Sequence, residues 1–148
     1  MSDTTRDTAL DQLGRAAYSL SAADSRLRGR ATRTPGALSL THARALRMLA
    51  EAGPLPIGQL AAATETTGAA TTQLVNGLAA VGYVTRERPA DDKRSVLVAL
   101  TDAGRSRHQE RQAALAQALD AALAHHDTTA LGTATDVLRQ LAAIYDQL

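Results

Sequence analysis

Residues 57–104 read IGQLAAATETTGAATTQLVNGLAAVGYVTRERPADDKRSVLVALTDAG. The spacing predicts two helices, then a two-stranded ribbon with a charged tip, then the start of a further helix. In the second helix Leu74, Val75, Leu78 and Val81 recur at three- and four-residue steps, which gives it one apolar face. The opposite edge carries Gly68, Ala69, Ala70, Thr72, Gln73 and Asn76, all small or polar. Thr66 or Thr67 can cap its first amides, and Gly82 can close it in a left-handed turn. Tyr83–Arg86 and Ser95–Leu100 are rich in β-branched and apolar residues and flank a turn containing Pro89 and Asp91-Asp92.

Helix, helix and basic-tipped hairpin is the layout of a winged helix-turn-helix, which sets one helix and one loop on a nucleic-acid duplex. Outward from this unit, helices are expected at both ends of the chain. The first runs from about Thr4 to Arg28, with Leu10, Leu13, Ala17, Leu20 and Leu27 forming an interhelical seam. Asp24 falls on that seam, where Arg15 or Arg26 can pair with it. Residues 32–39, with Pro35-Gly36, read as a loop. The next helix is expected to start at Thr41 as its N-cap and to end near Gly53-Pro54, with Leu46, Leu49 and Ala50 inward. Pro54 and Pro56 make a stiff connector, and Pro56 suits the start of a helix over about Ile57–Ala63.

Beyond the ribbon, Thr101 is expected to cap a helix reaching about His125, with Leu115, Leu119, Ala122 and Leu123 as its apolar positions. A final helix from about Thr128 carries Leu131, Ala134, Leu138, Leu141, Tyr145 and Leu148 at the same spacing as the first. The fold class is therefore mainly α with a small β-wing. Residues 40–101 form the winged helix-turn-helix, and residues 4–30 and 102–148 form a helical dimerisation region. Leu10, Leu13, Leu20, Leu138, Leu141, Tyr145 and Leu148 are the expected dimer seam.

Composition points the same way. Apolar residues make up 45% of the chain, yet there is no Phe or Trp and only three Tyr. Alanine supplies much of that fraction and buries little area, so helix pairing with a second copy should supplement a thin core. The absence of cysteine excludes disulfides, thiolate metal sites and thiol redox chemistry. No apolar run approaches the roughly 18 residues of a membrane span and no signal peptide opens the chain, so a cytoplasmic protein with no membrane partner is expected. The net charge is only +1, but Ser25–Ala50 holds six arginines and no acid. Clustering of one sign is the footprint of phosphate binding, and Arg33, Thr41 and Arg44 are its candidate contacts.

The same residues bear on other functions. The four histidines, His42, His108, His125 and His126, contain no i, i+4 pair, so no metal and no cofactor is expected. The metal-responsive alternative would have to recruit carboxylates. Nucleophile motifs, phosphate loops and facing carboxylate pairs are missing, so no enzymatic activity is expected. A winged-helix protein-interaction module is the remaining alternative, supported by the bare recognition helix and modest charge. It would lack the steep salt dependence of phosphate binding.

These residues together resemble the multiple-antibiotic-resistance regulator (MarR) family of bacterial transcription factors. The resemblance runs without a gap over Leu40–Gly104. Its landmarks are Leu40-Thr41, Leu60-Ala61, Thr72, Leu74, Leu78, Gly82, Val84 and Arg86, then Asp92-Lys93-Arg94, Leu100-Thr101 and Gly104. The D-x-R at the ribbon tip followed by L-T-x-x-G is the most specific piece.

The resemblance implies a homodimer that binds double-stranded DNA, as a repressor, through an operator with two half-sites. It implies a wing of Arg86, Arg88, Asp92, Lys93 and Arg94, in which Arg94 enters the minor groove and Asp92 orients it. It also implies a recognition helix that offers Thr67, Gly68, Ala69, Ala70, Thr72, Gln73 and Asn76, with Thr72 and Gln73 facing base edges. A small, often anionic aromatic effector is implied between bundle and recognition unit, where Tyr18, His42, Arg44 and Arg47 lie by position. The chain departs from the usual pattern at Gln73 and Gly77, where many members carry arginine. Fewer guanine contacts and an A·T-leaning half-site are therefore expected.

Overall fold

The computed structural model describes residues 4–92 and 95–148. Helices α1 (Thr4–Arg33), α2 (Leu40–Ala52), α3 (Ile57–Ala63) and α4 (Gly68–Ala80) come first, with the two-residue strand β1 (Leu55–Pro56) between α2 and α3. Strands β2 (Val84–Glu87) and β3 (Leu97–Leu100) follow, then α5 (Asp102–Ala122) and α6 (Thr128–Tyr145). The chain divides into two compact units, residues 1–108 and 109–148.

The core of the first unit is aliphatic. Leu46 and Leu49 from α2, Leu60 from α3, Val75 and Leu78 from α4, Val84 from β2 and Val98 from β3 are all fully buried, joined by Leu38. Burying one such side chain contributes about 1.5–3 kcal/mol relative to leaving it in water. The periodicity of α4 is thus realised, with Val75 and Leu78 inside, Leu74 at the margin and Val81 exposed. The helix starts where Thr67 accepts from the Ala70 amide, and the chain turns out of it at Gly82 with φ +80°.

Several boundaries differ from expectation, each for a local reason. The first helix continues through Ala31, Thr32 and Arg33 and stops only at Thr34, which precedes Pro35 and is biased away from helical backbone. Its Asp24 pairs with Arg28 at 3.5 Å rather than with Arg15, which pairs with Asp11 at 2.9 Å. The N-cap of α2 is Ser39, not Thr41, which lies in the first turn. Ser39 Oγ accepts from the His42 amide at 3.2 Å, and His42 Nδ1 accepts from the Ser39 amide at 3.2 Å. This is a capping box in which a histidine does the work usual for Glu or Gln. The second Pro-containing stretch is a strand: Leu55 and Pro56 pair with Val98 and Leu97, so the sheet has three strands in the order β1-β3-β2. Pro56 is tolerated because β1 is an edge. Of the ribbon strands, β2 is shifted by one residue from the expected Tyr83–Arg86 and β3 is shorter than the expected Ser95–Leu100, with Val84 opposite Leu100 and Glu87 opposite Leu97.

The L-T-x-x-G segment joins the sheet to α5. Thr101 Oγ1 accepts from the Gly104 amide at 3.0 Å and donates to the Gly82 carbonyl at 2.6 Å. The Thr101 amide donates to the Tyr83 carbonyl at 3.1 Å. Gly104 is buried so closely that a Cβ there would lie 2.0 Å from the Tyr83 carbonyl oxygen.

In the second unit, α5 ends at Ala122 rather than His125, because Asp127 caps a new helix by accepting from the Ala130 amide at 2.8 Å. Neither α1 nor α6 contains a buried residue. Leu10, Leu13 and Leu20 on α1 and Leu131, Leu138, Ile144 and Tyr145 on α6 are exposed. Leu141 is half-buried, while Leu148 lies beyond the end of α6 and is almost wholly exposed. No helix among the described residues is long and apolar enough to cross a membrane.

Candidate nucleic-acid interface

Helix α4 is held at its N-terminal end by hydroxyl groups. Thr71 is fully buried, and its Oγ1 donates to the Thr67 carbonyl at 2.8 Å. Its hydrogen being committed there, Thr71 accepts from Thr66 Oγ1, 2.8 Å away. Thr64 Oγ1 donates to the Leu60 carbonyl at 2.8 Å, closing the last turn of α3. Between them Glu65 adopts φ +55°, a left-handed conformation uncommon outside glycine and asparagine. Among the described residues no buried side-chain nitrogen or oxygen lacks a hydrogen-bond partner. The buried role of Thr71 was missed in the sequence, although it sits four residues before Val75 on the apolar stripe. A hydroxyl that bonds back into its own helix can enter a core at little cost.

The outer edge of α4 is as bare as its sequence. Gly68, Ala69, Ala70, Thr72, Gln73, Asn76 and Gly77 are all exposed, and nothing lies within 4 Å of a Cβ built at Gly77. Thr72 Oγ1 donates to the Gly68 carbonyl at 3.0 Å, leaving its methyl group and lone pairs outward. Asn76 is tied to the wing, because Arg86 on β2 donates through Nη2 to Asn76 Oδ1. Recognition helix and ribbon therefore share a direct side-chain contact. At the ribbon tip Asp92 Oδ2 accepts from Ser95 Oγ at 2.9 Å. Arg88, one residue past β2, is exposed. Lys93 and Arg94, and with them the expected Asp92–Arg94 pairing, lie outside the described residues.

Of the candidate phosphate contacts, Arg33 is exposed at the end of α1 and Thr41 is half-buried in the first turn of α2. Arg44 is exposed, and its Nε donates to the Ala63 carbonyl at 3.2 Å, which braces α2 against the end of α3.

The four residues put forward for an effector do not converge on one cavity. His42 lines a cavity of about 570 Å³ with Arg28, Thr66, Gln73 and Leu74. Tyr18 is 76% exposed on an arginine-lined groove along α1 that also includes Arg26 and Arg33. Arg47 is exposed on α2 and pairs with Glu51 at 2.8 Å. The sequence pointed to neither Arg28 nor Thr66 as cavity wall, since both depend on how α1 crosses the recognition unit. Burial pushes the His42 imidazole below its ordinary pKa. Its Nδ1 faces two groups of Ser39, the amide and the hydroxyl at 2.8 Å, so the neutral ring carries its proton on Nε2.

Three helices, a three-stranded sheet and an exposed recognition edge linked to a hairpin define a winged helix-turn-helix protein. A family model described as MarR family matches residues 38–95. A probable transcriptional regulator from Pseudomonas aeruginosa is 30% identical, covers 84% of this chain and 95% of its own, and superposes with a TM-score of 0.67. The chain belongs to the MarR family.

More distant neighbours share the fold. The PcaV transcriptional regulator from Streptomyces coelicolor, solved in complex with its natural ligand, is 21% identical with a TM-score of 0.72, covering 88% of this chain and 91% of that one. BpsR of Bordetella bronchiseptica, whose DNA binding is regulated by 6-hydroxynicotinic acid, is 21% identical with a TM-score of 0.66, covering 90% and 98%. Among curated proteins no sequence matches the chain.

Proposed function

We propose that this chain is a DNA-binding transcriptional repressor that acts as a homodimer on a two-half-site operator. The observation that carries the reading is the exposed edge of α4, where Thr72, Gln73 and Asn76 meet solvent beside a wing joined to it through Arg86. Small residues at Gly68, Ala69 and Ala70 permit close approach of the helix backbone to a major groove. Arg33, Thr41 and Arg44 meet phosphates, while Arg88, Lys93 and Arg94 carry the wing to the adjacent groove.

The exposed leucines of α1 and α6 support dimerisation. Monomeric proteins rarely leave contiguous apolar stripes uncovered, and a second copy would bury them. A dimer whose recognition helices are spaced about 34 Å apart meets successive major grooves. The cavity at His42 supports an effector response. Arg28 supplies a cation for a carboxylate or phenolate, and Leu74 an apolar wall for a ring. Its occupant would favour one spacing of the recognition helices over another, and DNA would weaken its binding by the same factor.

The test is selection from a randomised duplex library with the purified protein, paired with sedimentation mass. The reading predicts a two-fold symmetric site, a mass of two chains, and affinity that falls linearly with log salt. A single-chain mass and salt-independent or absent DNA binding would refute it and favour the interaction-module alternative.

A further inference from the structure

Arg86 and Asn76 both lie on the exposed edge that the proposed function assigns to DNA, and the inference rests on that reading. A guanidinium carries five N–H donors and no acceptor. The atom of Asn76 that meets Arg86 must therefore be the carbonyl oxygen, and the contact runs from Arg86 Nη2 to Asn76 Oδ1. The amide is thereby oriented: its oxygen is turned to the wing and its NH₂ group outward. A free asparagine reads adenine by accepting from N6 and donating to N7 at once. With the oxygen turned to the wing and one of its two lone pairs taken by Arg86, that bidentate reading is weakened.

We propose that Arg86 makes Asn76 read chiefly as a donor, so that the base it faces is guanine or thymine. Guanine offers two acceptors, N7 and O6, and thymine offers O4, whereas adenine offers only N7 beside an amino group that meets a partly engaged oxygen, and cytosine offers an amino group alone. Thr72, one turn earlier on the same edge, has the opposite polarity. Its hydroxyl hydrogen is committed to the Gly68 carbonyl, so it shows lone pairs and a methyl group. The edge thus reads as an acceptor followed by a donor. Arg86 is the positioning residue for this choice and keeps its remaining N–H groups for phosphate.

Duplex selection with the wild-type chain and with Asn76→Ala, Asn76→Asp and Arg86→Ala tests this, thermal melts confirming that each is folded. Asn76→Ala should flatten preference at one position per half-site, and the wild type should favour guanine or thymine there by about tenfold. Asn76→Asp keeps a partner for Arg86 but turns an acceptor outward, and should move the preference to cytosine or adenine. Arg86→Ala frees the amide oxygen and should raise adenine at that position alone.

Adenine favoured by the wild type at the Asn76-dependent position would overturn the inference. So would Arg86→Ala leaving the share of adenine at that position unchanged. If the wild type selects no sequence, the DNA-binding reading falls and takes the inference with it. If it selects a symmetric site and only the Asn76 position disobeys, the inference alone falls.

Discussion

Gly104 and Gly77 are both glycines inside helices, and the structure predicts opposite signs for the same substitution. At Gly104 a Cβ would stand 2.0 Å from the Tyr83 carbonyl oxygen and 2.9 Å from Leu100 Cδ1. The nearest contact a real Cβ makes is about 3 Å, so the start of α5 must move away from the sheet by roughly 1 Å. That carbonyl also accepts from the Thr101 amide at 3.1 Å, a bond that would not survive the shift. Overpacking of this kind costs about 1–3 kcal/mol, and the lost hydrogen bond about 1 kcal/mol more. Gly104→Ala should therefore destabilise by about 2–4 kcal/mol, or about 10 °C in Tm for a chain of this size. At Gly77 nothing lies within 4 Å, and alanine is the better helix former by about 1 kcal/mol. Gly77→Ala should raise Tm by a few degrees. The assay is thermal unfolding by circular dichroism at one fixed protein concentration, because dimerisation would make Tm depend on it. Equal melting of Gly104→Ala and wild type would refute the close packing of α5 on the sheet.

Three further outcomes are expected. The His42 imidazole is held below its ordinary pKa of about 6.5 by burial, so its contribution to stability is present above that value and lost as pH falls through the lowered one. His42→Gln, which preserves the Ser39 capping box, should flatten this acid-side decline in urea midpoint, and an unchanged pH profile would count against it. Thr71→Val keeps the shape but removes the partner that Thr66 Oγ1 meets at 2.8 Å, leaving it Thr64 Oγ1 at 3.1 Å, and should cost about 1 kcal/mol in urea unfolding, whereas a neutral result would remove the hydroxyl chain from the account of α4. Leu138→Asp, at a position exposed in the single chain, should leave the helical signal intact while halving the sedimentation mass. An unchanged mass would exclude Leu138 from the seam.

What the sequence made legible follows physical range. The α4 stripe, a cap at Thr66 or Thr67, Gly82 and the Thr101 cap are set by neighbours a few residues away, and pattern identifies them. Gly104 stands out only through the resemblance, because the Tyr83 carbonyl that excludes a Cβ there is far away in the chain. The Ser39–His42 box is equally local but uses an unusual residue, so the signature of Ser with Glu or Gln passed it by. Strand β1 was hidden for a different reason. Two residues, one of them proline, carry no period, and their pairing partners Leu97 and Val98 are more than forty positions away. The Arg86–Asn76 contact likewise joins positions ten apart through the turn between α4 and β2. Charge was the weakest guide: Arg28, Arg44 and Arg47, all from one basic run, have Asp24, the Ala63 carbonyl and Glu51 as separate partners.

The same residues that fix α4 also line the cavity beneath it. Thr66 donates to buried Thr71 while forming part of the wall, and His42 both caps α2 and faces the space. An occupant that drew the Thr66 hydroxyl to itself would strip Thr71 of its donor, and one that protonated His42 would break the capping box. The first change acts at the N-terminal end of α4, close to Ala70 and Gln73, which are at once cavity wall and part of the exposed edge, and the second acts at the start of α2. An occupant that differed in affinity between two placements of α4 by only tenfold would shift their ratio tenfold, about 1.4 kcal/mol. That is comparable with the net worth of one hydrogen bond. The Thr66–Thr71 bond is therefore large enough by itself to carry such a response, with no rearrangement of the aliphatic core required.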